Sequence, residues 1–213
     1  DIARKTILSA SQEMPGIPFP FPYMTVFNGD FGVEYPMMTN VGTESDYDMT
    51  VYANSHEIMH SYFPFYVCTN ETKNGWMDEG LTVFLPEKAQ TQISTLDEAK
   101  RNNAAFSKYA GLEDEPAVIT STHYLDQRIY FYLNYAKTEV ALRMLQSELG
   151  DSVFKYCLTT FMDRWKYKHP TPYDFFNTFN TLSKQDLNWF WNAWYFQNGG
   201  IPDLAIGQVT RTE

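Results

Sequence analysis

The sequence predicts an α+β domain in which a small, mostly antiparallel sheet lies over one helix and a helical lobe follows. Three observations carry that expectation. Tyr23-Met24-Thr25-Val26-Phe27 is a strand-like run closed by the turn pair Asn28-Gly29. Pro15, Gly16, Pro18, Pro20 and Pro22 precede it and force an extended path that no helix interior tolerates. From Thr50 onward, helix-start and helix-stop signals recur almost to the end of the chain.

Taken in order, Ile2 to Met14 reads as a helix with Ile7, Leu8 and Ala10 on one side. Glu34 follows the first strand in a short segment expected at a sheet edge. Thr39 to Asp48 is polar and loop-like, and Asp48 or Thr50 can cap a helix that carries His56 and stops at Pro64. A second helix starts near Asn74 to Trp76, and Pro86 ends or kinks it. Ser94 to Asp114 reads as a helix and a loop. Asp126 to Leu149 is strongly helical and closes at Gly150. Three helices remain: one capped by Asp151, one opened by Thr171-Pro172, and one preceded by Ser183-Lys184-Gln185-Asp186 and ended by Gly199-Gly200. The aromatic residues of this last helix do not share one stripe, so it is expected to be packed on several sides. The division expected is a sheet and metal-helix lobe over residues 1–92, a helical lobe over 93–198, and an extended tail over 199–213 that begins a further domain.

The 213 residues suffice for one well-buried domain or two small lobes sharing a site. A net charge of −10 argues against nucleic acid as a partner. Cys68 and Cys157 lie outside any CxxC pattern, which argues against a cysteine zinc site or a disulfide scaffold. No apolar run has the length of a membrane span. The chain starts with Asp1 in helix-like sequence and reads as a piece of a longer protein, so a targeting segment would lie outside it and the compartment stays open. Asn70-Glu71-Thr72 matches a glycosylation triplet, a pattern common by chance.

The chemistry concentrates between His56 and Glu79. On a helix, the i, i+4 spacing of His56 and His60 puts both imidazoles on one face, a turn apart, where two ring nitrogens can bind one cation. After eighteen intervening residues His60 is followed by Glu79, inside the apolar stretch Trp76-Met77-Asp78-Glu79-Gly80-Leu81-Thr82-Val83-Phe84-Leu85. A carboxylate there is costly unless it binds something, which disfavours the plain alternative of a solvated helix with two histidines. Two histidines and a carboxylate leave the fourth tetrahedral position for water, the layout of a catalytic zinc site. Glu57 points roughly 100° around the helix from His56, placed to act on that water as general base. His123 and His169 are expected at the surface or in structural roles, and the aromatic residues of the second half in the core.

These segments resemble the gluzincin metallopeptidases and, within them, the aminopeptidase N family. The shared pattern is His-Glu-x-x-His, eighteen residues, then Glu-Gly. Upstream, Phe31-Gly32-Val33-Glu34-Tyr35-Pro36 is similar to the family's Gly-x-Met-Glu-Asn exopeptidase motif. Downstream, Tyr135-Ala136-Lys137-Thr138 is similar to its Tyr-x-Lys-Gly motif. The three pieces occur in the family's order over roughly residues 15 to 150. The resemblance implies a thermolysin-like zinc peptidase domain with one zinc held by His56, His60 and Glu79. It implies that Glu57 is the base, that Tyr135 steadies the oxyanion, and that Glu34 binds the free amine of a peptide substrate. It also implies other domains in the parent chain. The sequence departs from the pattern at Phe31, where glycine is usual, at Tyr35 in place of Asn, at Thr138 in place of Gly, and at Pro86, where an acidic residue is common and Glu87 is a poor substitute. An endopeptidase, or a peptide-binding relative without catalysis, are the alternatives left open.

Overall fold

The first helix and the sheet are tied to the region of His56 by a few local choices. In the computed structural model, which describes residues 1–198 apart from 43, 45 and 113, α1 spans Ile2–Gln12 and ends just before the proline run. Three short strands follow: β1 Thr25–Phe27, β2 Val33–Tyr35 and β3 Met38–Asn40, in the order β1-β3-β2. β2 turns back through Pro36 and Met37 to pair antiparallel with β3. β1, on the other edge, pairs parallel with β3. The sheet is therefore mixed, not mostly antiparallel. The cause is that Asn28-Gly29 does not close a hairpin: it leads the chain past β3's position, and only the second reversal makes an antiparallel pair. Glu34 sits on the edge strand opposite the buried Thr39. Paired residues share a face, and that face turns toward the helix below.

That helix, α2, spans Tyr47–Met59. Its cap is Asp46, whose side chain accepts the Met49 N–H at 2.8 Å, two residues before the expected Asp48. Asp48 instead holds Thr95, and the Thr50 hydroxyl donates to the Asp46 carbonyl. α2 ends one residue before His60, and a π turn follows over Ser61–Tyr66. Pro64 forces Phe63 out of helical geometry (φ −134°, ψ 118°), as a residue before proline prefers.

A short 3-10 turn, Gly75–Met77, leads into α3, Glu79–Phe84. Trp76 anchors that entry. It is wholly buried, stacks on Phe176 at 5.7 Å and meets Phe175 and Tyr195 edge-on. Pro86 separates α3 from α4, Glu87–Ile93, and α5 follows over Glu98–Phe106. The long helix expected from Asp126 is three pieces: α6 Gln127–Phe131, a π turn Tyr132–Lys137, and α7 Thr138–Leu149. α7 packs on α3, and only glycine fits at their closest approach. A Cβ on Gly80 would lie 2.2 Å from Cγ2 of Thr138 and 2.8 Å from the Asn134 carbonyl oxygen.

α8, Asp151–Trp165, starts after Gly150 at the cap position, with Asp151 as its first residue. α9, Pro172–Ser183, opens on a capping box between Thr171 and Asp174. α10 is only Asn188–Trp191, continued as a π turn over Asn192–Phe196. The expected box at Ser183–Asp186 does not form: Lys184 turns left-handed (φ 59°) to close α9, and Asp186 instead accepts the Asn188 N–H. Gly199, Gly200 and the tail at 201–213 lie outside the described residues. One apolar cluster runs from Ala10 through Trp76 and Leu142 to Tyr195, so the buried core is continuous across residue 92. Among the described residues, both cysteines are unpaired, and no helix is long and apolar enough to cross a membrane.

Candidate metal centre

The last turn of α2 presents His56, and His60 follows at its end; both rings are buried. The start of α3 brings Glu79 against them. His56 Nε2 and His60 Nε2 are 3.3 Å apart, and Glu79 Oε2 lies 3.2 Å from the first and 3.5 Å from the second. Ligands about 2.0–2.2 Å from a tetrahedral zinc are separated by roughly 3.3–3.5 Å, so this triangle has the size that such an ion requires.

The chemistry of the donors fits as well. His60 Nδ1 faces two acceptors, Asp78 Oδ1 at 2.6 Å and the Phe63 carbonyl at 3.0 Å. A carbonyl can only accept, so Nδ1 carries a proton, and in the neutral form of the ring the lone pair at Nε2 faces inward. Burial works against a charged His60, but Asp78 outweighs it and raises the imidazole's pKa, with Glu79 adding to the effect. Burial pushes Asp78 up in turn, and His60 pulls it back. For Glu79, burial would raise the carboxyl, yet the two imidazoles hold it below its ordinary value. Oε2 of Glu79 and Nδ1 of His56 are buried with no hydrogen-bond partner. His56, His60 and Glu79 each turn one possible ligand atom toward the others and could together hold a divalent cation.

Glu57 stands beside this triangle. It is nearly fully buried, its Oε2 has no partner, and burial raises its carboxyl above the usual range against the pull of both histidines. The strand segment passes directly over it: a Cβ on Gly32 would lie 2.8 Å from Glu57 Oε1. Glu34, half-buried on β2, comes within 4.8 Å of Glu57 and His60. Phe31 and Tyr35 both turn to solvent, so their larger side chains do not crowd the site. Tyr135 lies on the π turn with its ring roughly parallel to that of His56 at 5.7 Å. Its phenol is pushed well above its ordinary value by burial and then by Glu79. All six residues singled out from the sequence thus surround one point.

Four neighbours were not expected. Asp78 places a carboxylate behind His60, whereas Glu87, next to Pro86, lies elsewhere, paired with Arg143 at 2.8 Å. Tyr130 is not simply a core aromatic, because its hydroxyl donates to Glu79 Oε1 at 3.2 Å. Tyr52 stacks on His56 at 5.8 Å and carries the Arg101 guanidinium over its own ring at 4.1 Å. Glu71 reaches within 4.8 Å of Glu34 and Asp78. Asp78, adjoining Glu79, was the one with a readable signal. His169 lies on the Cys68 carbonyl and His123 in a separate 3-10 turn, neither in the described metal cluster. Two surface hollows of about 510 and 530 Å³ are lined by residues around α8, α9 and α10 and by none of the site residues.

A mostly helical domain with a small sheet here presents two imidazoles and a carboxylate around one point, with a second, unpartnered carboxylate alongside, an arrangement that could hold a metal ion. The Peptidase family M1 domain matches residues 33–194, and the chain belongs to that family. Among similar proteins, aminopeptidase N of Haemophilus influenzae is 25% identical over 195 residues, covering 87% of this chain and 21% of the relative. A probable aminopeptidase 2 of Sulfurisphaera tokodaii is 23% identical over 153 residues, covering 68% and 20%. The chain thus spans about a fifth of the length of these curated relatives. The crystal structure of a point mutant of an M1 zinc metallopeptidase from Deinococcus radiodurans superposes with a TM-score of 0.74 at 16% identity, over 95% of this chain and 44% of that one.

Proposed function

We propose that this chain is the catalytic portion of a zinc-dependent aminopeptidase that removes residues one at a time from peptides with a free N-terminus. The observation that carries the proposal is the convergence of His56 Nε2, His60 Nε2 and Glu79 Oε2 on one point, with Glu57 and Glu34 beside it. Family membership, the names of the relatives, and a Deinococcus structure described as bound to a Tyr-Ser-Ala substrate all support it. The thermolysin-like reading of the fold, with a sheet and metal-helix lobe over 1–92 and a helical lobe over 93–198, belongs to the same proposal.

Zinc bound by His56, His60 and Glu79 would supply Lewis acidity at the scissile carbonyl and make water more acidic. Glu57 accepts the proton of the attacking water at its unpartnered Oε2 and later delivers it to the leaving amine. Its buried setting favours holding a proton between those two events. Tyr135 donates its phenolic hydrogen to the oxygen on which charge develops. Glu34 accepts the substrate's α-ammonium, and its place on the edge strand fixes the distance from the chain's first residue to the scissile bond.

The test uses Glu57→Gln in its natural sequence context, with aminoacyl fluorogenic amides as substrates and a chelator control. Retained zinc with turnover abolished is expected; turnover equal to the parent would overturn the mechanism.

A further inference from the structure

The π turn that carries Tyr135 is tied at both ends to one buried oxygen. Tyr132, its first residue, donates its phenol to Oε1 of Glu115 at 2.8 Å, and Lys137, its last, donates Nζ to the same oxygen at 2.5 Å. Oε2 of Glu115 accepts the Gly111 N–H at 2.9 Å. The Glu115 and Lys137 side chains are each 1% exposed, so the pair is sealed from water. Glu115 lies in the segment between α5 and α6, outside every motif read from the sequence.

The geometry of helices gives this tether a specific consequence. Successive α-helical residues turn by about 100°, so positions five apart face about 140° away from each other. An i→i+5 turn takes more residues per revolution and brings such positions back to one face. Here one oxygen holds Tyr132 and Lys137 together across the wider turn. The Thr138 hydroxyl reinforces the same register by donating to the Leu133 carbonyl, also five residues back, at 2.8 Å. Stability does not account for the ion pair, since apolar replacements of similar volume are often neutral or better. Register does.

We propose that Glu115 is a positioning residue for Tyr135, holding residues 132–137 in the wide-turn register that sets the phenol against Glu79 and His56. The inference rests on the reading of Tyr135 as the oxyanion donor. Relaxation to α-helical geometry would rotate one end of the segment by about 100° relative to the other and carry the phenol off its target.

Two variants test this. Glu115→Gln keeps acceptor capacity for Tyr132 but leaves Lys137 without a counter-charge; the pair Glu115→Met with Lys137→Met removes both charges and guards against a simple folding defect. The first readout is the 19F resonance of a fluorotyrosine placed at position 135, which needs neither metal nor turnover. It is expected to move or split in both variants, with the melting temperature of the double variant preserved. The second is turnover: Glu115→Gln is expected to lower kcat by about tenfold with KM within about twofold, and to lower nothing further once Tyr135→Phe is present. A parent-like resonance in the double variant, or the same tenfold loss on top of Tyr135→Phe, would overturn the proposal. If Tyr135→Phe alone left kcat intact, the role assigned to Tyr135 would fall, while a displaced resonance would still support Glu115 as its positioner.

Discussion

Asp78 Oδ1 lies 2.6 Å from Nδ1 of His60, while the next residue, Glu79, faces the other nitrogen of the same ring. One turn of chain entering α3 thus grips the imidazole from behind and completes the triangle of His56, His60 and Glu79 in front. Trp76, locked among Phe175, Phe176 and Tyr195, fixes that turn from two residues upstream. Removing Asp78 should free the ring to rotate and lower its basicity. Asp78→Ala is expected to weaken zinc binding by about 10–100-fold, with a smaller loss for Asp78→Asn, which keeps an acceptor. Competition against a chromogenic chelator measures both.

Glu34→Ala should separate exopeptidase from endopeptidase behaviour. Loss of a charge-assisted contact to the α-ammonium is expected to raise KM for free-amine peptides by about 10–100-fold. Amino-blocked peptides should gain or hold in relative terms. Steady-state kinetics on a matched pair of free and acetylated peptides reads the difference.

Tyr135 must be protonated to donate. Burial and Glu79 both raise its phenol above the ordinary value, and a raised acid stays protonated to higher pH. Any alkaline fall in kcat below about pH 10 should therefore come from another group, and Tyr135→Phe should lower kcat by about 100-fold without shifting that limb. The pH profiles of parent and variant decide it.

The contact between α3 and the segment around Asn134 and Thr138 leaves no room for a methyl group. Gly80→Ala is expected to cost about 1–3 kcal/mol and to lower the melting temperature, because Thr138 Cγ2 and the Asn134 carbonyl must both give way. Thr138→Gly in the same chain should return part of the loss, since it removes one of the two obstructions. Thermal denaturation of the four forms is the measurement.

The helices and the clustering of His56 with His60 could be read from the sequence because helix periodicity fixes which residues face together. Spacing alone placed His56 and His60 on one face. The apolar surroundings of Glu79 marked it as a group that needed a partner. The sheet was less legible: β1 and β2 are separated by Asn28-Gly29, a hairpin signal, yet strand pairing is settled by which edge of β3 each can reach. Caps were misplaced by a residue or two where several acidic side chains compete, as at Asp46 and Asp48. Contacts between distant segments left no local mark at all. Nothing near Glu115 signals Lys137, and nothing near Tyr130 signals Glu79, because those pairs form only when the chain folds back.

Metal analysis of the purified chain, alongside the His60→Ala variant, tests the central claim most directly. The expected result is one zinc per parent chain, lost from His60→Ala and retained in Glu57→Gln. A parent chain that binds no zinc at stoichiometric supply, or a His60→Ala variant that holds it as tightly, would contradict the account.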